Sequence, residues 1–195
     1  MMRSIFGGRL GIFGVDRIGK DCKARSRRLQ PSVDGLERRE LLTVAAGSVT
    51  LSAGVVTIVP APTGPSTAVV SYQTVGGVKE VDVNLNGVDN YFGLGTVGLV
   101  SFQGSGSSGN ETFQNETGLS TNAQGGSGTN LFIGGSGLDA FYGGSGTNTF
   151  DAGSGYDVLV GGTGSNTYNA TTGSGLIIER GSTITVNAPP SYTVI

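Results

Sequence analysis

Two carboxylates stand eighteen residues apart in nearly the same surroundings, Asp139 in GGSGLDAFY and Asp157 in AGSGYDVLV. The copies before, between and after them place an amide at the same position, so the series reads Asn130, Asp139, Asn148, Asp157, Asn166. Aspartates in glycine turns can do three kinds of chemistry. They can hydrogen-bond their own backbone as solvated turn residues. Gathered with turn carbonyls they can hold a hard cation, and paired across a groove they can run acid–base hydrolysis. The choice depends on which elements bring them together.

From Gly125 the frame is unbroken: GGSGTNLFI, GGSGLDAFY, GGSGTNTFD, AGSGYDVLV, GGTGSNTYN and a decayed ATTGSGLII. The eighth position is always large and apolar, as Phe132, Phe141, Phe150, Leu159, Tyr168 and Ile177. An outlying copy, GSSGNETFQ at 106–114, adds Phe113; NETGLSTNA follows it, with Gln124 as a one-residue spacer before the regular array. Nine residues with a glycine turn fit no helical repeat, but they fit a six-residue turn plus a three-residue strand. Two units then close one coil, and stacked coils bury the eighth-position side chains at a strand spacing of roughly 4.8 Å. Alternate copies share an edge, which places Asp139 above or below Asp157 and gathers Asn130, Asn148 and Asn166 on the other side. Carboxylates so close repel by several kcal/mol in a low effective dielectric unless a cation lies between them. The amides can stack, each donating to the next carbonyl oxygen, without charge or metal. Ser120 on one flank and Gly175 on the other bring no further carboxylate, so at most one well-formed site is expected.

The pattern G-G-x-G-x-[D/N]-x-U-x resembles the nonapeptide of repeats-in-toxin (RTX) proteins, closely over residues 125–169 and more weakly from 106 and out to 178. The resemblance implies a right-handed parallel β-roll that binds calcium in its turns. It implies a ligand set as well: Asp139 with the carbonyls of Gly134 and Ser136, facing Asp157 with the carbonyls of Gly153 and Gly155, around one Ca2+. Three of the five regular copies depart from the family in having Asn at the sixth position, and Ala152 replaces a first-position glycine. LERRELL, near the N-terminus, looks like the L-E-x-R leader that bacterial secreted or surface proteins place ahead of such repeats.

Composition removes several function classes. Residues 1–40 carry ten Lys/Arg and five Asp/Glu, whereas residues 41–195 carry two and nine. An acidic body whose only cations are Lys79 and Arg180 has no basic footprint for nucleic acid. A divalent cation suits it better. With no histidine there is no Ser–His or Cys–His dyad and no His-Glu-x-x-His zinc helix. With no tryptophan to stack a sugar and no acid beyond the pair, a glycosidase is disfavoured and a non-enzymatic role expected. Cys22, the sole cysteine, allows neither disulfide staples nor a thiolate metal site.

Three regions follow. Residues 1–46 form a basic leader with no apolar span long enough to cross a membrane. It reads equally as an export signal, with Arg38-Arg39 ahead of Val44-Ala45-Ala46, or as a short helix capped by Asp34 and Glu37. Residues 47–105 alternate with period two and turn at Gly76-Gly77 and Asn86-Gly87, predicting an antiparallel meander whose Glu80, Asp82 and Asp89 face solvent. Residues 106–195 form the β-roll with C-terminal cap strands, giving an all-β chain. The expected function is a secreted or cell-surface calcium-binding structural module. The alternative is a metal-independent solenoid, an adhesive or envelope unit held by its asparagine ladder. Any cell-surface or matrix partner is left unnamed by the residues.

Overall fold

A computed structural model describes residues 47–195; the expectations for residues 1–46 lie outside the described residues. Sixteen strands follow one another: β1 (Ser48–Ser52), β2 (Val55–Val59), β3 (Ser66–Val75), β4 (Val78–Leu85), β5 (Val88–Gly93), β6 (Leu99–Gln103), β7 (Glu111–Asn115), β8 (Ser120–Gln124), β9 (Thr129–Ile133), β10 (Asp139–Tyr142), β11 (Thr147–Asp151), β12 (Tyr156–Val160), β13 (Ser165–Asn169), β14 (Ser174–Ile178), β15 (Thr183–Asn187) and β16 (Tyr192–Val194). The only helical element among the described residues is a single 3₁₀ turn, Leu94–Thr96. From β6 on, successive strands alternate between two eight-stranded sheets, ordered β1-β2-β6-β8-β10-β12-β14-β16 and β15-β13-β11-β9-β7-β3-β4-β5. The fold is a parallel β-solenoid with an antiparallel start.

The winding repeats every eighteen residues through the regular array. Phe150 pairs with Phe132 on one side and Tyr168 on the other, and Leu159 lies between Phe141 and Ile177. Every eighth-position side chain is buried, and the rings of Phe132, Phe150 and Tyr168 stack at centroid separations of 5.5 and 5.0 Å. Burying one such ring contributes about 2–3 kcal/mol, so this column supplies much of the driving force for winding. The turns between strands stack just as tightly. A Cβ placed on Gly162 would lie 1.5 Å from the Gly144 carbonyl oxygen one coil earlier, which only glycine avoids.

Each strand is longer than the repeat alone suggests. Most span five residues and leave four-residue turns, such as 152–155 between β11 and β12. The sixth residue is therefore not part of the turn. It is the first inward-facing residue of its strand, and Asn130, Asp139, Asn148, Asp157 and Asn166 are buried at 0–2% exposure. That rules out the solvated-turn reading of the two aspartates.

The expected meander is present as β3-β4-β5, with Gly76-Gly77 and Asn86-Gly87 both at positive φ in its turns. A third turn of the same kind joins β1 to β2, where Ala53 and Gly54 take φ of 50° and 81°. No Asn-Gly or Gly-Gly pair announced it. Strand β2 pairs in parallel with β6, and β3 with β7, so residues 47–105 share one core with the nonapeptide array. Val81, Val83 and Leu85 face that core. Glu80 and Asp89 lie toward solvent, but Asp82 does not: flanked in register by Ser71 and Tyr91, it is only 6% exposed.

Candidate metal centre

The two sheets carry two polar columns of different chemistry. On the second sheet the amides form a ladder: Asn130 Nδ2 donates to Asn148 Oδ1 at 2.8 Å, and Asn148 Nδ2 to Asn166 Oδ1 at 2.9 Å. Each amide nitrogen also points into its own turn, toward the carbonyls of Gly126, of Gly144 and Gly146, and of Gly162, at 3.0–3.3 Å. Turn carbonyls aimed at one centre would suit a cation, and here an –NH₂ group takes its place. The ladder ends on a carboxylate, because Asn166 Nδ2 donates to Glu179 Oε1 at 2.9 Å.

The first sheet holds the acids. Asp139 on β10 and Asp157 on β12 occupy consecutive coils, both at 0% exposure, and the Asp139 N–H donates to Asp157 Oδ1 at 3.3 Å. Asp139 Oδ2 accepts the Gly135 N–H at 2.9 Å. Burial raises its carboxyl above the usual range, against the hydrogen bonds from Thr121, Gly135 and Asn115. Asp157 Oδ2 accepts the Tyr192 hydroxyl at 2.6 Å. Burial pushes the Asp157 carboxyl up to about 6; the Tyr192 bond opposes the shift and the nearby Asp139 charge adds to it.

The ends of the acid column were only partly visible in the sequence. Asp139 pairs with Thr121, not Ser120, and Gly175 follows Asp157 as expected. Gln124 is no spacer; it is the last residue of β8. The additional residue lies in the preceding turn, where Glu111 pairs with Asn130 nineteen positions on. There Asn115 folds inward. Its Oδ1 accepts the Thr117 N–H and hydroxyl, and its Nδ2 donates to Leu119 O and Thr121 Oγ1, with a longer approach of 3.4 Å to Asp139 Oδ1. At the other end Tyr192 pairs in register with Gly175. Gly175 has no side chain, so the phenol reaches past it to the aspartate. A glycine at the sixth position of a decayed copy was the one sequence sign that something else would fill that layer.

The donor set at this edge is hard oxygen throughout, as calcium requires. Two carboxylates lie together, and the turns that precede their strands stack on one another through main-chain carbonyls. The Gly134 and Gly135 oxygens approach Gly153, and those of Ser136 and Gly137 approach Gly155. Some of these oxygens already accept hydrogen bonds: Gly155 O from Ser174 N–H at 2.9 Å, Gly135 O from Ser154 N–H at 2.8 Å, and Gly153 O from the Thr172 hydroxyl. Among the described residues no three His, Cys, Asp or Glu side chains gather as a metal cluster, so any ion here would depend on the pair and the backbone.

A family model for the RTX calcium-binding nonapeptide repeat, four copies long, matches residues 124–159 and, overlapping them, 142–177. Over that stretch the sequence matches the RTX-like repeat, and the chain there folds as a β-solenoid. No curated protein and no solved structure gives a significant match. No helix among the described residues is long and apolar enough to cross a membrane.

Proposed function

We propose that this solenoid is a non-enzymatic, calcium-binding structural module of a secreted or cell-surface protein, with at most one ion, held at the acid column. The observation that carries the reading is the burial of Asp139 and Asp157 side by side with no cationic side chain among the described residues bonded to either. Asp139 and Asp157 would hold the ion, with carbonyls of Gly134, Ser136, Gly153 and Gly155 as further donors. Bound calcium supplies the positive charge this column lacks. Tyr192 and Thr172 donate hydroxyl hydrogen bonds to Asp157 Oδ2 and to the Gly153 carbonyl, and a bound ion would compete with those bonds for the same oxygens. Millimolar extracellular calcium would then favour the wound state by mass action, which supports a role outside the cell.

The test is far-ultraviolet circular dichroism and thermal melting of the full chain, with calcium and with chelator. Calcium should raise the melting temperature, and Asp157→Asn should abolish that rise. A β-rich spectrum and a melting point indifferent to both additions would leave the second reading, a metal-independent solenoid. That reading is favoured by the continuous Asn130–Asn148–Asn166 ladder and by the donors already present on both aspartates.

A further inference from the structure

The amide ladder has a direction, and direction imposes a requirement at each end. Every amide donates toward the C-terminal coils, so the last one needs an acceptor and the first one needs a donor. Glu179 meets the first need. Burial works against its charge, but the Tyr168 hydroxyl, the Gly181 and Arg180 N–H groups and the Asn166 amide hold its carboxyl below the usual range, as the ionised acceptor. At the other end the first amide, Asn130, pairs in register with Glu111 of β7. Asn130 Oδ1 and Glu111 Oε1 are both buried, and neither has a hydrogen-bond partner.

The shortage has a visible origin. In the next coil the turn N–H of Gly144 donates to Asn148 Oδ1 at 3.3 Å. The equivalent Gly126 N–H is taken by Glu111 Oε2, also at 3.3 Å, so one donor faces several acceptors. Leaving two such acceptors unpaired at 0 and 2% exposure costs free energy. A proton on the carboxyl, a cation or a buried water could join them. The groups around Glu111 are Ser66 on β3, Asn130 on β9, and Ser107 and Gly126 in the adjoining turns. Among the described residues none of these is charged, and no neighbouring charge acts on the Glu111 carboxyl to help hold a multivalent ion.

We propose that Glu111 is held as the neutral acid and that its Oε1–H donates to Asn130 Oδ1, so that one proton starts the ladder which Glu179 ends. The hydrogen-bonded file then runs from Glu111 through Asn130, Asn148 and Asn166 to Glu179, with a neutral acid at one end and a carboxylate at the other. The Glu111 carboxylate takes up one proton from solvent, forming the Oε1–H bond, and a single hydrogen bond replaces two unsatisfied acceptors. Burial raises the Glu111 carboxyl, in keeping with this state, while Ser107 and Gly126 oppose the shift. A folded value raised above the ordinary 4.5 means the contribution is complete below 4.5 and disappears as pH rises through the folded value. The solenoid thus carries a pH-sensitive device at the start of its amide column, separate from the calcium-binding edge.

The test compares the full chain with Glu111→Gln, which keeps the shape and presents a permanent N–H donor to Asn130. Melting temperatures are measured across pH in chelator and in calcium. The expected result is that wild type falls behind the Gln variant by several degrees as pH rises. Infrared difference spectra between the two proteins at the lower pH should show the carbonyl stretch of a neutral acid. A gap independent of pH, a Gln variant less stable at every pH, or absence of that stretch overturns the proposal. A gap that follows calcium rather than pH also overturns it, by showing that a cation joins the two oxygens. Asp157→Asn, by contrast, reports on the acid column alone, so the two readings fail separately.

Discussion

The two columns of this solenoid solve one problem in two ways. Both arise from sixth positions of the same nonapeptide, both are fully buried, and both lie beside tightly stacked glycine turns. The amide column neutralises its turn carbonyls with its own –NH₂ groups and needs a proton only at its first layer. The acid column has charge where its neighbour has donors, and it is closed by Asn115 and Thr121 below and Tyr192 above. The difference teaches that aspartate and asparagine, equal in size, are not interchangeable once buried. Which of them suits a site is set by whether a cation, a proton or an N–H is there to meet the backbone oxygens.

The comparison can be broken first at what the columns share. Phe150 stacks between Phe132 and Tyr168 in the core that the two sheets share, and Phe150→Ala should cost about 4 kcal/mol in chemical denaturation, with or without calcium. A loss confined to calcium-free protein would mean the columns do not share a core. Next comes the exchange of amide for acid. Asn148→Asp removes the donor to Asn166, Gly144 and Gly146 and should destabilise the calcium-free protein by about 3 kcal/mol at neutral pH. If calcium fully restored the variant, the amide edge would be shown capable of forming a metal site.

Smaller changes belong to the acid column. Tyr192→Phe removes the hydroxyl that Asp157 Oδ2 accepts and should cost about 1–2 kcal/mol in chelator, with calcium closing the gap. Asp157→Asn should be the mildest, within about 1 kcal/mol of wild type in chelator at pH 5. Its effect depends on pH with a definite sign. Because the folded Asp157 carboxyl is raised from 3.8 to about 6, its contribution is complete below 3.8 and lost as pH climbs past about 6. Wild type should therefore melt progressively earlier than Asp157→Asn on the alkaline side of that range. Parallel melting curves across pH would show that Asp157 is not desolvated as described.

Much of this was legible residue by residue. The aromatic column followed from the eighth positions, the hairpins at 76–77 and 86–87 from their glycines, and the stacking of Asp139 on Asp157 from a coil of two nonapeptides. The frame faltered where the repeat did. One additional residue in the turn after β7 moved Thr121 into the place expected for Ser120, because strand register is kept by packing and the turn absorbs the insertion. Glu111 was in view as the sixth residue of the outlying copy 106–114. Its significance was hidden, because the lack of a donor is a property of three dimensions.

The amino-acid order alone determined the period, the side each residue faces and the segregation of acids from amides, since a repeat of fixed length leaves little choice of winding. Only the tertiary structure decided what closes the columns. Tyr192, on β16, reaches Asp157 across Gly175, and Glu179, just after β14, ends the amide ladder; both lie outside the repeating frame. Such contacts join residues 35 and 13 positions apart with no periodic relation, and only the finished stack, with its exposed last layers, brings them within reach.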